Sequence, residues 1–226
     1  MNPIWSPSTE VSQKTQLAQF QKKIEQNLNL KFQTYQDLHS WSIQHPEIFW
    51  NEIWNQLNIR GEKKGQALLG SKNFIENKWF PEAKINYAEN LLFFGGRDQN
   101  ETAIVFRGED KIQKKYTLKE IKNQVSKIQQ HLKSLGIQKG DRVAGFLPNL
   151  PESIVCMLAT TSLGAIWSSA SPDFGVQGVL DRFGQIEPKV LFVTDGYWYN
   201  GKKIDCQEKN KEITKNLSSL DRKSVV

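Results

Sequence analysis

Cysteine is scarce in this chain, with two among 226 residues, Cys156 and Cys206. Two thiols cannot build a multi-bridge disulfide scaffold or a four-ligand zinc centre, so the expected compartment is the reducing cytoplasm. Histidine is nearly as rare. His39 and His45 stand six apart, off the spacing that puts two ligands on one helix face, and His131 falls on the polar side of a predicted helix, so no metal site is expected. Long apolar runs are missing too. Ile154 to Trp167 is broken by Thr160, Thr161, Ser162 and Gly164 and falls short of the roughly 20 residues a bilayer requires. Met1 to Gln16 is polar, without the apolar core of a signal peptide, and no membrane association is expected. Charge is only mildly one-sided: 30 Lys and Arg against 24 Asp and Glu leave +6, spread along the chain. Without a concentrated basic stripe or an RNA-binding signature, nucleic acid is not an expected partner. Neither G-x-S-x-G nor G-x-G-x-x-G occurs.

What remains is enough for a folded core. The chain is 38% hydrophobic, with seven Trp and 12 Phe. Each such ring brings roughly 150 to 250 Å² of buriable surface, which disordered chains lack. At about 100 to 200 residues per domain, one large domain or two small ones would fit. Three regions are expected: a helical region over 1–100, an α/β region over 101–200 and a basic tail over 201–226. In the first, Leu17, Phe20, Ile24 and Leu28 recur at helical spacing, and a second helix begins at Pro46 and carries Ile48, Phe49, Ile53, Trp54 and Leu57. Gly61 to Gly70 reads as a loop. Trp79, Phe80, Pro81, Ile85, Tyr87, Leu91 and Leu92 form a layer that is extended and then helical.

From Thr102 the pattern changes. Ala103 to Arg107 and Lys111 to Thr117 flank Gly108, Glu109 and Asp110 as a hairpin. Thr117 and Glu120 have the spacing of a capping box, predicting a helix whose apolar face is Leu118, Ile121, Val125, Ile128, Leu132 and Leu135, stopped at Gly136. Arg142 to Leu147 is a strand ended by Pro148. Asn149, Pro151 and Glu152 begin a buried helix, and Ala165 to Trp167 is the next strand. Another helix carries Val176, Val179, Leu180, Phe183 and Ile186. Val190 to Val193 is apolar on both faces, as strands inside parallel sheets are. This alternation implies an α/β fold with ligand loops at the carboxyl ends of its strands, near Pro148, Ser168 and Asp195. Beyond Asp195 the apolar signal fades to Ile213, Leu217 and Leu220, so a short surface helix or a frayed end is expected. A sheet halting there would leave one edge unpaired, an aggregation hazard unless something covers it.

Few motifs carry chemistry. Gly196 to Lys203 nearly matches G-x-x-x-x-G-K-[ST], but Lys203 cannot supply the magnesium-holding hydroxyl, and three aromatics would crowd the phosphate. An aromatic surface loop with a basic end is the simpler expectation. Lys202 and Lys203 could still act as point charges toward a phosphate. The small-residue loop of Ser168, Ser169, Ser171, Pro172, Asp173 and Gly175 precedes a helix. Ser171 or Asp173 could cap that helix, or its backbone amides could meet an anionic ligand. Cys156, in an apolar helix with no nearby histidine in sequence, reads as a buried, inert thiol.

Three blocks carry a family likeness: Trp79-Phe80-Pro81 through Asn86-Tyr87-Ala88-Glu89-Asn90-Leu91-Leu92; Gly140-Asp141-Arg142-Val143; and Leu158-Ala159 through Gly164-Ala165-Ile166-Trp167-Ser168-Ser169-Ala170-Ser171-Pro172-Asp173-Phe174-Gly175. Together they resemble the acetoacetyl-CoA synthetase family of adenylate-forming acyl-CoA ligases. The resemblance implies an incomplete piece of the large N-terminal domain of such an enzyme: a helical start, a hairpin and a partial βαβαβ parallel sheet. It also implies acetoacetate, ATP and coenzyme A as substrates, with Mg2+. The phosphate loop, the ribose-holding Asp and the catalytic lysine of the family would lie beyond Val226. No catalytic residue is therefore expected within the chain, which alone should be inactive and bind none of these ligands tightly. Register implies that Lys202 stands where related acetyl-CoA ligases place a basic residue on the coenzyme A phosphate. It sets Ser171 to Asp173 on their coenzyme A-facing glycine loop, with Pro172 and Asp173 in place of the glycines, so Ser171 and Lys202 are the expected cofactor contacts. The resemblance implies no particular oligomeric state. Another short-chain acid as substrate, a non-catalytic interaction module and the product of an interrupted reading frame stay open beside it.

Overall fold

Hydroxyl side chains start the first three helices of the first unit, Met1–Ile85. The protein is represented by a computed structural model that describes residues 4–70, 73–93, 96–109, 111–220 and 222–225. Helix α1 spans Thr9–Gln13, α2 Gln16–Leu28, α3 Tyr35–Gln44 and α4 Pro46–Gln56. The Thr15 hydroxyl accepts from the Ala18 amide to start α2, Thr34 and Asp37 form a reciprocal capping box at α3, and Pro46 presets the first turn of α4. The spacing of Phe20, Ile24 and Leu28 sets Ile24 at the centre of a small core with Phe32 and Leu38, while Leu17 stays half exposed. The stretch expected as a plain loop is more ordered. β1 (Gly61–Glu62), β2 (Leu68–Leu69), β3 (Lys78–Trp79) and β4 (Lys84–Ile85) form nested antiparallel couples, β2 with β3 and β1 with β4, around a 3-10 turn at Phe74–Glu76. Two-residue strands are too short for side-chain alternation to announce them.

The second unit, Asn86–Val226, holds the sheet. It opens with α5 (Tyr87–Phe93), whose first turn Asn86 caps by accepting from the Glu89 amide. The same Asn86 donates to the carbonyls of Thr161 and Ser162, at 3.0 and 3.3 Å, closing the end of a later helix. Strands β5 (Thr102–Gly108) and β6 (Ile112–Thr117) pair as the expected hairpin, with Glu109 left-handed at its turn; Asp110 lies outside the described residues. The capping box forms as expected. The Thr117 amide donates to the Glu120 carboxylate at 2.7 Å and the Glu120 amide to the Thr117 hydroxyl at 3.2 Å, opening α6 (Leu118–Ser134). Gly136 takes the left-handed stop at φ 78°.

There follow β7 (Arg142–Phe146), α7 (Pro151–Ser162), β8 (Ile166–Ala170), α8 (Val176–Ile186), β9 (Val190–Val193), β10 (Gly196–Tyr199), β11 (Lys202–Asp205), α9 (Gln207–Asn216) and β12 (Arg222–Val225). β12, β9, β7 and β8 form one parallel sheet in that order. Its two central strands alternate between two cores: Val143, Val190 and Phe192 face one side with α5, α6 and α7, and Ala144, Phe146, Leu191 and Val193 face the other with α8 and α9. Burial on both faces explains the unbroken apolar run of β9. At Gly145 the backbone must be bare, because an added Cβ would sit 2.6 Å from the indole of Trp167, which lies across it. Below the sheet, the Arg142 guanidinium donates to the carbonyls of Ile186 and Glu187, at 2.7 and 3.1 Å, closing α8, and Lys189 pairs with Asp141 at 2.9 Å.

The residues after Asp195 depart from expectation. They are neither frayed nor merely superficial: α9 lays Ile213 and Leu217 on the second core, and Cys206 is fully buried before it. The edge of β9 expected to be bare is paired by β12. The near-match to a phosphate loop is a β-hairpin, its turn made by Asn200 and Gly201 at φ 50° and 72°, the conformation a tight two-residue connection requires. Among the described residues no helix is long and apolar enough to cross a membrane.

Candidate functional site

The parallel order β9-β7-β8 sends the chain outward on one side of β7 and then back to the other, creating a switch point where loops diverge. A cleft of about 780 Å³ opens there, at the carboxyl ends of the strands. Its walls are the segment Leu147–Leu150 after β7, Ser169, Ala170, Ser171 and Asp173 at the end of β8, the aromatic strand β10, and the β5–β6 turn with Arg107 and Lys111. Two of the three expected loop positions hold. The third shifts, since β8 continues through Ser168 and Ser169 and its loop begins at Ser171.

That loop is held by side chains. Neither Ser171 nor Asp173 caps α8, which starts at Gly175 with no side-chain acceptor. Instead the Ser171 hydroxyl donates to Asp173 Oδ2 at 2.8 Å, and the Tyr197 hydroxyl, reaching from β10, donates to Asp173 Oδ1 at 2.7 Å. The tyrosine's hydrogen bond, followed by the serine's, holds the Asp173 carboxyl below its ordinary range. Desolvation, reinforced by the neighbouring carboxylate, pushes the Tyr197 phenol up to about 12. From α9, Lys209 Nζ donates to the carbonyls of Pro172 and Phe174, at 2.7 and 3.4 Å. The guanidinium of Arg182 lies 4.1 Å over the Phe174 ring. The two hairpins meet as well: the Gly201 amide donates to Glu109 Oε2 at 3.0 Å, and Lys111 lies over Trp198 at 5.5 Å.

Of the two expected cofactor contacts, Ser171 lines the cleft. Lys202 is not among its lining residues; it stands exposed on β11 directly opposite Tyr199, on the same face of the hairpin as that wall residue. Tyr197, Asp173 and Lys209 were not singled out as a group by the sequence. The one available signal was Asn200-Gly201 between flanking strands, which places Tyr197 on a hairpin. Among the described residues no His or Cys lines the cleft, and the Ser171 hydroxyl faces a carboxylate whose lowered pKa makes it a poor base. Cys156 stands apart on α7, buried, its thiol pushed up to about 12 by desolvation and then by Glu152, as suits an inert residue.

The AMP-binding enzyme family matches residues 95–226, and the acetyl-coenzyme A synthetase N-terminus matches residues 35–91. The chain belongs to the AMP-binding enzyme family. Among the family's members, the acetoacetyl-coenzyme A synthetase of Rhizobium meliloti (strain 1021) is 44% identical over 217 residues, covering 96% of this chain and 33% of that protein. The malonamoyl-CoA synthetase of Penicillium aethiopicum is 37% identical over 223 residues, 96% of this chain and 31% of that one. A solved structure of acetoacetyl-CoA synthetase from Streptomyces lividans superposes with a TM-score of 0.92 at 33% identity, over 100% of this chain and 35% of the other. The chain thus spans about a third of the length of the AMP-binding relatives it matches. The likeness read from the three sequence blocks is borne out, and so is the partial adenylate-forming fold.

Proposed function

We propose that residues 1–226 form part of an acetoacetate–CoA ligase. In this reading a carboxylate oxygen of acetoacetate attacks the α-phosphorus of ATP, and diphosphate leaves. The thiol of coenzyme A then attacks the acyl carbon of the adenylate, loses its proton and expels AMP. The observation that carries the reading is the 44% identity to an acetoacetyl-coenzyme A synthetase across 96% of the chain. The contribution assigned to this chain is the coenzyme A side. The cleft falls within the 300 to 1,000 Å³ or so typical of small-molecule sites, at about 780 Å³. Ser171 offers a hydroxyl inside it, and Lys202 a cation on the hairpin beside it that suits a phosphate. ATP, Mg2+ and the lysine that would act on the carboxylate are assigned to residues outside 1–226, and the working compartment to the cytoplasm.

The test joins residues 1–226 to the remaining two-thirds of the Rhizobium relative and measures AMP released from ATP with acetoacetate and coenzyme A. Turnover by the joined protein and none by residues 1–226 alone is expected. Turnover by the isolated chain, or none by the joined protein while its parent is active, would overturn the reading. The similarity to a malonamoyl-CoA synthetase favours a second reading, in which the acid is another short-chain one. A higher kcat/KM for malonamate than for acetoacetate in the same assay would select it.

A further inference from the structure

We infer that Tyr197 and Lys209 are positioning residues for the loop Ser171–Gly175, and that they keep the Asp173 carboxylate turned away from the phosphates of coenzyme A. The inference rests on the ligase reading above. A negative side chain on the wall of a cleft meant for a polyphosphate is a liability, because like charges a few ångströms apart repel. Asp173 is such a side chain. The structure spends both of its oxygens elsewhere, Oδ1 on the Tyr197 hydroxyl at 2.7 Å and Oδ2 on the Ser171 hydroxyl at 2.8 Å. Lys209 holds the backbone on either side of it through the carbonyls of Pro172 and Phe174, and its cation offsets the charge. The ties from β10 and α9 add to the loop's own turn, in which the Phe174 amide donates to the Ser171 carbonyl at 3.1 Å, so the loop is also fixed from two outside directions. Gly175 at the start of α8 takes no side-chain bond, so the carboxylate that could have capped the helix faces the hairpin instead.

The decisive variant is Tyr197→Phe, which keeps the ring and deletes the hydroxyl. In the joined ligase it should raise KM for coenzyme A about tenfold, the size of one hydrogen bond to a charged group. kcat and the KM for ATP and acetoacetate should stay within twofold. Adding Asp173→Asn to Tyr197→Phe should bring KM for coenzyme A back to within threefold of wild type, because no charge is left to swing into the cleft. A merely structural tyrosine would not be rescued that way. Lys209→Met should also raise KM for coenzyme A. An unchanged KM in Tyr197→Phe, a parallel shift in all three substrates, or failure of Asp173→Asn to rescue would overturn the inference while the ligase reading stands. A wild-type joined protein that releases no AMP would instead remove the reading and this inference with it.

Discussion

Ile213 offers a sharp test of whether α9 belongs to the fold. It is fully buried against Ala144, Phe146, Leu191 and Val193 of the sheet and Val179 and Phe183 of α8. Ile213→Ala removes three carbons, which at about 0.8 kcal/mol per buried methylene is about 2.4 kcal/mol of lost transfer free energy. The neighbouring strands cannot collapse into the space without breaking their ladders, so a cavity contribution brings the expected loss to about 3 to 4 kcal/mol. For a chain of this size that is a fall in melting temperature of about 6 to 15 °C. Thermal unfolding followed by far-UV circular dichroism measures it, with Lys215→Ala, exposed on the same helix, as a control expected within about 0.5 kcal/mol of wild type. A shift below 1 °C for Ile213→Ala would mean that α9 is a frayed appendage and that the second core is wrongly drawn.

Gly145→Ala should cost about 1 to 3 kcal/mol by driving the Trp167 indole off the sheet, with a matching change in tryptophan fluorescence; an unchanged spectrum and midpoint would contradict the close approach. The Asp141 carboxyl is held below its ordinary range by the Gln138 amide first and by Lys189 next, so its stabilisation is complete above the unfolded value near pH 4 and is lost as acid titrates through the lower folded one. Asp141→Asn should therefore be about 1 kcal/mol less stable than wild type at neutral pH, and urea titrations repeated toward pH 3 should show the gap closing. Both thiols are buried, and burial pushes the pKa of each up, so iodoacetamide at pH 8 should add nothing to the native chain and two adducts after denaturation, read by intact mass. An adduct on native Cys156 would contradict its packing.

How much of this was legible in the sequence depends on whether the deciding contact was local. The Thr117 and Glu120 box, the amphipathic α6 and the doubly apolar β9 each declare themselves within a few residues, and they fixed the α/β reading. The hairpin β10–β11 did not emerge, because Gly196 to Lys203 was weighed against a phosphate-loop pattern while the Asn200-Gly201 turn inside it went unused. α9 shows few apolar residues because it covers only one side of a strand pair. β12 begins Arg222-Lys223, a poor strand signature, and its place is dictated by the free edge of β9. In the site, Ser171 comes from the family resemblance and its register, whereas the bond between Tyr197 and Asp173 joins residues 24 apart and exists only once β8 and β10 are side by side.

The pairing of β12 with β9 also bears on how the polypeptide is made. β9 leaves the ribosome well before its outer neighbour, roughly 30 residues ahead of residues 222–225, a lag of about 2 to 6 s at ordinary elongation speeds. During that interval the nascent chain presents a bare hydrogen-bonding margin to other chains. Trigger-factor-like helpers, or slow codons placed after rather than before that stretch, would be expected to change the soluble yield without altering the finished molecule.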